Sequence, residues 1–138
     1  MIPLEEDLVA IRRIADEWRK GWITGDTEAI LSLFAEDPVL MPQNQPAVTG
    51  KNAIRFLYES VFREYFIQGG GEIVEIVASG DWGYFWSTYT LTATCKTGGE
   101  PIMDRGKSIF IVKRQADRSW RISRLITNSD EAPTENPT

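Results

Sequence analysis

The sequence predicts an α+β fold, with three N-terminal helices packed on a curved antiparallel sheet, and three observations predict it. Apolar residues recur at spacings of three and four through the first 65 positions, the helical period. From residue 72 onward long β-branched and aromatic runs take over, punctuated by short turn signals. The 138 residues are 42% apolar and include five Trp, four Tyr and six Phe, enough bulk for one core without disulfides or metal.

The first helix is expected over residues 5–23, where Leu8, Ile11, Ala15, Trp18 and Trp22 share one face. Asp16 and Lys20 form a favourable i,i+4 pair on the other face. Thr24-Gly25-Asp26 ends it, since Gly25 suits a left-handed cap and Asp26 or Thr27 can accept from the free amides of a second, short helix over residues 28–34. Pro38 disfavours helical geometry at Asp37, and Val39-Leu40-Met41 reads as a short strand before a Pro42–Pro46 loop. A third helix opens near Thr49-Gly50-Lys51-Asn52 and buries Ile54, Leu57, Tyr58, Val61, Phe62 and Tyr65. Gly69-Gly70-Gly71 is read as a flexible hinge after it, because three glycines cost helix stability and no Lys-Ser/Thr follows to make a phosphate loop.

Four long strands are expected at residues 72–79, 82–95, 102–114 and 119–128, joined by Gly80-Asp81, Lys96-Thr97-Gly98-Gly99 and Ala116-Asp117-Arg118. Residues 1–130 are expected to form a single domain and 131–138 a disordered acidic tail. Alternation along residues 82–95 places apolar or aromatic side chains on both faces, as do Ile109 and Ile111 against Phe110 and Val112. Three helices cover one face; the other calls for a partner, most simply a homodimer through the outer sheet face.

Composition excludes several chemistries. With no His, imidazole bases, Ser-His-Asp and Cys-His nucleophile systems and imidazole-dependent zinc sites are removed. A lone Cys95 builds neither an internal disulfide nor a cysteine cluster. No acid cluster has metal-ligand spacing, so no metal or other cofactor is expected. The net charge of −5 opposes nucleic-acid binding, and no apolar run reaches membrane-spanning length, so neither nucleic acid nor membrane is an expected partner and a cytoplasmic location is expected.

A bent sheet closed by helices leaves a conical, mostly apolar chamber. Trp18, Trp22, Met41, Tyr89 and Leu125 are the candidate walls, with Lys107 and Asn128 as polar contacts for a small hydrophobic or aromatic molecule carrying a polar end.

The order helix, short helix, loop, helix, four strands resembles the nuclear transport factor 2-like superfamily, and the chain is similar to its SnoaL-like, ketosteroid-isomerase-like branch. The resemblance rests on Thr24-Gly25-Asp26-Thr27-Glu28-Ala29-Ile30, Leu33-Phe34-Ala35-Glu36-Asp37, Leu40-Met41-Pro42, the run from Pro46 through Thr49-Gly50-Lys51 to Ile54, Asp104-Arg105-Gly106-Lys107, Ser119-Trp120-Arg121-Ile122 and Asn128-Ser129-Asp130. It implies a cystatin-like cone with an internal cavity and leaves the reaction open, since that superfamily holds isomerases, cyclases, dehydratases and epoxide hydrolases beside non-catalytic modules.

Carried over residue by residue, the ketosteroid isomerase tyrosine falls near Trp18, its base at Met41 or Pro42 and its second acid near Ile109 or Ile111, none of which can serve that chemistry. A His-dependent dehydratase is excluded outright. The resemblance implies a small-molecule-binding domain, with proton-transfer isomerase or cyclase activity as its enzymatic form. Two alternatives stand beside it: a non-catalytic dimerisation or accessory module, and epoxide-hydrolase-like water activation by Asp104, Arg105 and Asp130. Residues 104 and 107 lie on opposite faces of a regular strand, so only a bulge near Gly106 would bring both into one cavity.

Overall fold

The structure, a computed structural model, describes residues 5–131. Helices α1 (Glu5–Thr24) and α2 (Thr27–Leu31) are followed by strands β1 (Phe34–Met41) and β2 (Val48–Thr49) and then by helix α3 (Lys51–Glu64). Strands β3 (Tyr65–Ser79), β4 (Trp82–Cys95), β5 (Ile102–Arg114) and β6 (Trp120–Ser129) follow as an antiparallel meander. The six strands form one sheet in the order β2-β1-β6-β5-β4-β3, curved and unclosed, in which only the β1–β6 pairing is parallel. The three helices pack on its concave face, which is the predicted α+β architecture.

Local chemistry sets the helix boundaries. The Asp26 carboxylate accepts from the Ala29 amide at 3.0 Å and caps α2, while Gly25 turns the chain at a φ of +65°. Gly21 lets α1 and α2 touch: a Cβ there would sit 2.5 Å from Ile30 Cγ1. The core lies between helices and sheet, where Ile11, Ile30, Ile54, Phe34, Phe85, Val112, Ile122 and Leu125 are almost wholly buried. At one end a buried polar clasp joins the start of α1 to the sheet. Asp7 accepts from Arg114 Nη2 at 2.9 Å and from Trp120 Nε1 at 3.2 Å, and the Arg114 guanidinium lies 4.8 Å from the Trp120 ring centre.

Three expectations are revised. The second helix ends at Leu31 rather than residue 34, because Phe34 already pairs with Ile122 in the sheet. The glycine run is not a hinge. Gly69, Gly70 and Gly71 pair in register with Leu91, Thr90 and Tyr89, and β3 begins at Tyr65, directly after α3. Glycine is required because β4 runs so close: Cβ atoms at positions 69 and 71 would fall 2.1 Å from the Thr90 carbonyl and 2.4 Å from that of Thr88. The last strand continues to Ser129, beyond which Asp130 and Glu131 pair with Lys107 and Arg105. The remainder of the expected acidic tail, 132–138, lies outside the described residues. No helix among the described residues is long and apolar enough to cross a membrane.

Candidate functional site

Strand parity decides what the concave face presents. On β5 the inward residues are Asp104, Gly106, Ser108, Phe110 and Val112; their partners are Leu91, Tyr89, Ser87, Phe85 and Gly83 on β4. On β6 Ser129, Thr127 and Leu125 continue the same face. Toward β3 this face is not filled by the helices. A cavity of about 500 Å³ remains between α1, β3, β4 and β5, within the usual size range of small-molecule sites.

Its wall is aromatic. Trp18 and Trp22, one helical turn apart on α1, lie 6.0 Å apart between ring centres, and Trp18 meets Phe110 edge-on at 5.3 Å. Phe110 stacks on Phe85 at 4.4 Å, and Ile67, Ile73 and Leu91 complete the apolar lining. Tyr58 and Phe62 of α3 brace Trp22 from behind in T-shaped contacts at 5.2 and 5.0 Å. The Trp22 indole N–H is buried there without a hydrogen-bond partner among the described residues.

One side of the chamber is polar. Tyr89 Oη donates to Asp104 Oδ2 at 2.9 Å, and the Ser129 hydroxyl donates to the other oxygen of the same carboxylate. Ser108 and Thr127, cross-strand neighbours, share a hydrogen bond of 2.8 Å. Gly106 makes this cluster geometrically feasible. It stands between Tyr89 and Ser129 in the sheet, and a Cβ on it would lie 2.7 Å from the Tyr89 hydroxyl and 2.2 Å from the Asn128 carbonyl. Partial burial first, and the hydrogen bond to Asp104 second, push the Tyr89 phenol above its ordinary value, so it stays protonated. Arg12, Asp16 and Arg19 from α1 border the cavity, as do Gln68 and Glu72 of β3, whose register with Thr92 and Thr88 turns their side chains to the convex face.

Of the seven residues singled out from sequence, Trp18, Trp22 and Tyr89 border this cavity and four do not. Leu125 faces inward but is sealed in the core at 1% exposure. Met41, Lys107 and Asn128 sit on the opposite, convex face: Met41 is level with Ile126, and Lys107 pairs with Asn128 one step from the inward Ser108–Thr127 pair. The period of two places them there, and no bulge interrupts β5 at Gly106 to reverse it. Lys107 instead binds Asp130 at 2.7 Å. The Asp104, Arg105, Asp130 arrangement is divided in the same way, since Arg105 binds exposed Glu131 while Asp104 turns inward. Ser87, Ser108 and Thr127 were not singled out; their signal is being in phase with buried Phe85 and Phe110. Among the described residues no group of three or more Cys, Asp or Glu is placed to hold a metal ion.

A helix-lined cone on a curved six-stranded sheet defines the nuclear transport factor 2-like, or cystatin-like, class. Within it the chain belongs to the SnoaL-like domain family, whose signature matches residues 15–124. Among similar solved structures is a ketosteroid isomerase-like protein from Erwinia carotovora atroseptica. It is 28% identical, aligns over 94% of this chain and 100% of its own, and has a TM-score of 0.85. An NTF2-like family protein from Streptomyces avermitilis is 14% identical over 94% of this chain and 100% of its own, with a TM-score of 0.81. A domain of unknown function with a cystatin-like fold from Nostoc punctiforme is 15% identical over 94% and 81%, with a TM-score of 0.76. A search of curated proteins gives no significant match.

Proposed function

We propose that this SnoaL-like domain binds a small aromatic or hydrophobic molecule with one polar end, in the cavity between α1 and the concave face of the sheet. The observation that carries the reading is the cavity of about 500 Å³, whose aromatic walls face a hydrogen-bonded Tyr89–Asp104 pair. Trp18, Trp22, Phe85 and Phe110 give apolar contact, and the carboxylate fixes orientation. Uptake of the neutral dye Nile red tests it. A Trp18→Asp variant that remains folded loses the dye, because the new charge sits on the cavity wall; Leu91→Trp loses it by filling the space. Retained uptake in both folded variants places the ligand elsewhere.

Proton-transfer catalysis, as in an isomerase or cyclase, is a second reading with one observation in its favour: Asp104 is a carboxylate lining the chamber opposite its aromatic wall. A dimer through the convex face is a separate proposal. Tyr84, Trp86, Ile109, Ile111 and Ile126 lie side by side there, half-buried. Acidic Glu72 and Glu75 flank them toward β3, and basic Lys113, Arg121 and Arg124 toward β6. A second copy turned about an axis parallel to the strands sets acid against base and covers the apolar centre, whereas a non-catalytic accessory role would need that face and no cavity.

A further inference from the structure

Asp104 carries more information about the guest than the cavity's shape does. It is the only charged group on the inward face of β4, β5 and β6 beside the chamber; Arg105 and Lys107, its neighbours in sequence, point to the convex face and are paired with Glu131 and Asp130. No basic side chain among the described residues lies within ion-pair distance of it. Its charge is held by two neutral hydroxyls, those of Tyr89 and Ser129, one on each oxygen. Both hydroxyls have thereby committed their protons, and what they and the carboxylate still offer a guest is lone pairs. Ser108 and Thr127 largely satisfy each other. The charged residues of α1 that border the cavity, Asp16 with Arg12 and Arg19, make no ion pair with Asp104. Asp104 is therefore a carboxylate without an ion-pair partner among the described residues, opposite aromatic rings whose π-faces also attract cations.

We propose that the ligand's polar end is a protonated amine: the cavity selects a cationic arylalkylamine, with its ammonium donating to Asp104 and its ring against Trp18 and Phe110. This rests on the binding reading above and deepens it. An ammonium adds charged donors to the carboxylate's remaining lone pairs and neutralises it. A hydroxyl group supplies one donor and no charge. A carboxylate ligand would face Asp104 with like charge and is rejected. The net charge of −5 on the chain favours a cation's approach as well.

Calorimetric titration of the full chain at neutral pH with phenylpropylamine, phenylpropanol and phenylpropanoate tests this, with Nile red uptake run beside it. The amine is expected to bind about ten-fold more tightly than the alcohol, the ratio that one additional charge-assisted hydrogen bond supplies, with the carboxylate weakest. In Asp104→Asn, and independently in Asp104→Ser, the preference for the amine over the alcohol should vanish. If neither variant folds, the ranking in the unaltered chain decides. Equal binding of amine and alcohol, or preference for the carboxylate, overturns the proposal while dye uptake keeps the cavity reading. An amine preference that survives both folded variants overturns it too. Absence of binding by all three compounds and by the dye removes the cavity reading and this proposal together.

Discussion

Replacing Asp7 with alanine is the sharpest test of how α1 is held over the cavity. Asp7 and Arg114 expose only 10% and 17% of their side chains, so the pair is shielded from water, and Trp120 Nε1 uses the second carboxylate oxygen. Removing one partner of such a pair leaves a buried guanidinium uncompensated, which typically costs about 3–5 kcal/mol. Two features pull the value to the lower end: Asp81 Oδ1 stands 3.5 Å from Arg114 Nε and can move in, and the Gly80 carbonyl already accepts from Nη2 at 3.5 Å. The loss of an acid from the first turn of α1 adds about 0.5 kcal/mol against the helix dipole. The expected total is about 3.5 kcal/mol, or a fall of about 12 °C in melting temperature for a chain of this size. Urea and thermal unfolding followed by circular dichroism measure it, with Asp7→Asn expected between Asp7→Ala and the unaltered chain because it keeps an acceptor for Trp120. A change below about 0.5 kcal/mol, the ordinary scale of surface substitutions, refutes the buried-clasp argument.

Three further outcomes are expected. Gly106→Ala puts a methyl group against the Tyr89 hydroxyl and the Asn128 carbonyl and should destabilise the chain by about 1–3 kcal/mol while breaking the Tyr89–Asp104 bond, as unfolding curves and the Tyr89 ring signals in an NMR spectrum would report. Burial raises the phenol of Tyr58, and burial with the Asp104 bond raises that of Tyr89. Because the unfolded chain then releases these protons at lower pH than the native one, stability holds below the ordinary tyrosine range near pH 10 and falls as pH rises through and above it. Ultraviolet titration should find Tyr58 and Tyr89 ionising above the ordinary tyrosine range, and ionisation of both within that range in the folded chain would contradict this. Ile109→Lys on the convex face should convert the proposed dimer to single chains in sedimentation experiments without loss of Nile red uptake; a single-chain mass for the unaltered protein at micromolar concentration removes the dimer proposal.

The helices were legible because their burial follows one period. Ile11, Ile54, Tyr58 and Phe62 stand where spacings of three and four put them. The long strands were legible from alternation, but alternation tells which residues share a face and not which face is inward. That ambiguity sent Met41, Lys107 and Asn128 to the chamber, although Leu40 and Leu125 point inward beside them. The triple glycine misled for a related reason: its propensity argues for a loop, and only the close approach of the β4 carbonyls explains it as strand. Trp18 and Trp22 border the cavity because both lie on the one apolar stripe of α1. The role of Asp104 as the acidic group of the chamber depends on Tyr89, Gly106 and Ser129 lining up across three strands, a register no single segment contains.

The account stands on the chamber being open to a guest, and a crystal structure of the chain grown with phenylpropylamine tests that most directly. The account predicts the ring lying against Trp18 and Phe110, with the nitrogen within hydrogen-bond reach of the Asp104 carboxylate. Trp18 and Trp22 collapsed onto Leu91 and Ile73, with the compound absent from a closed interior, would contradict it.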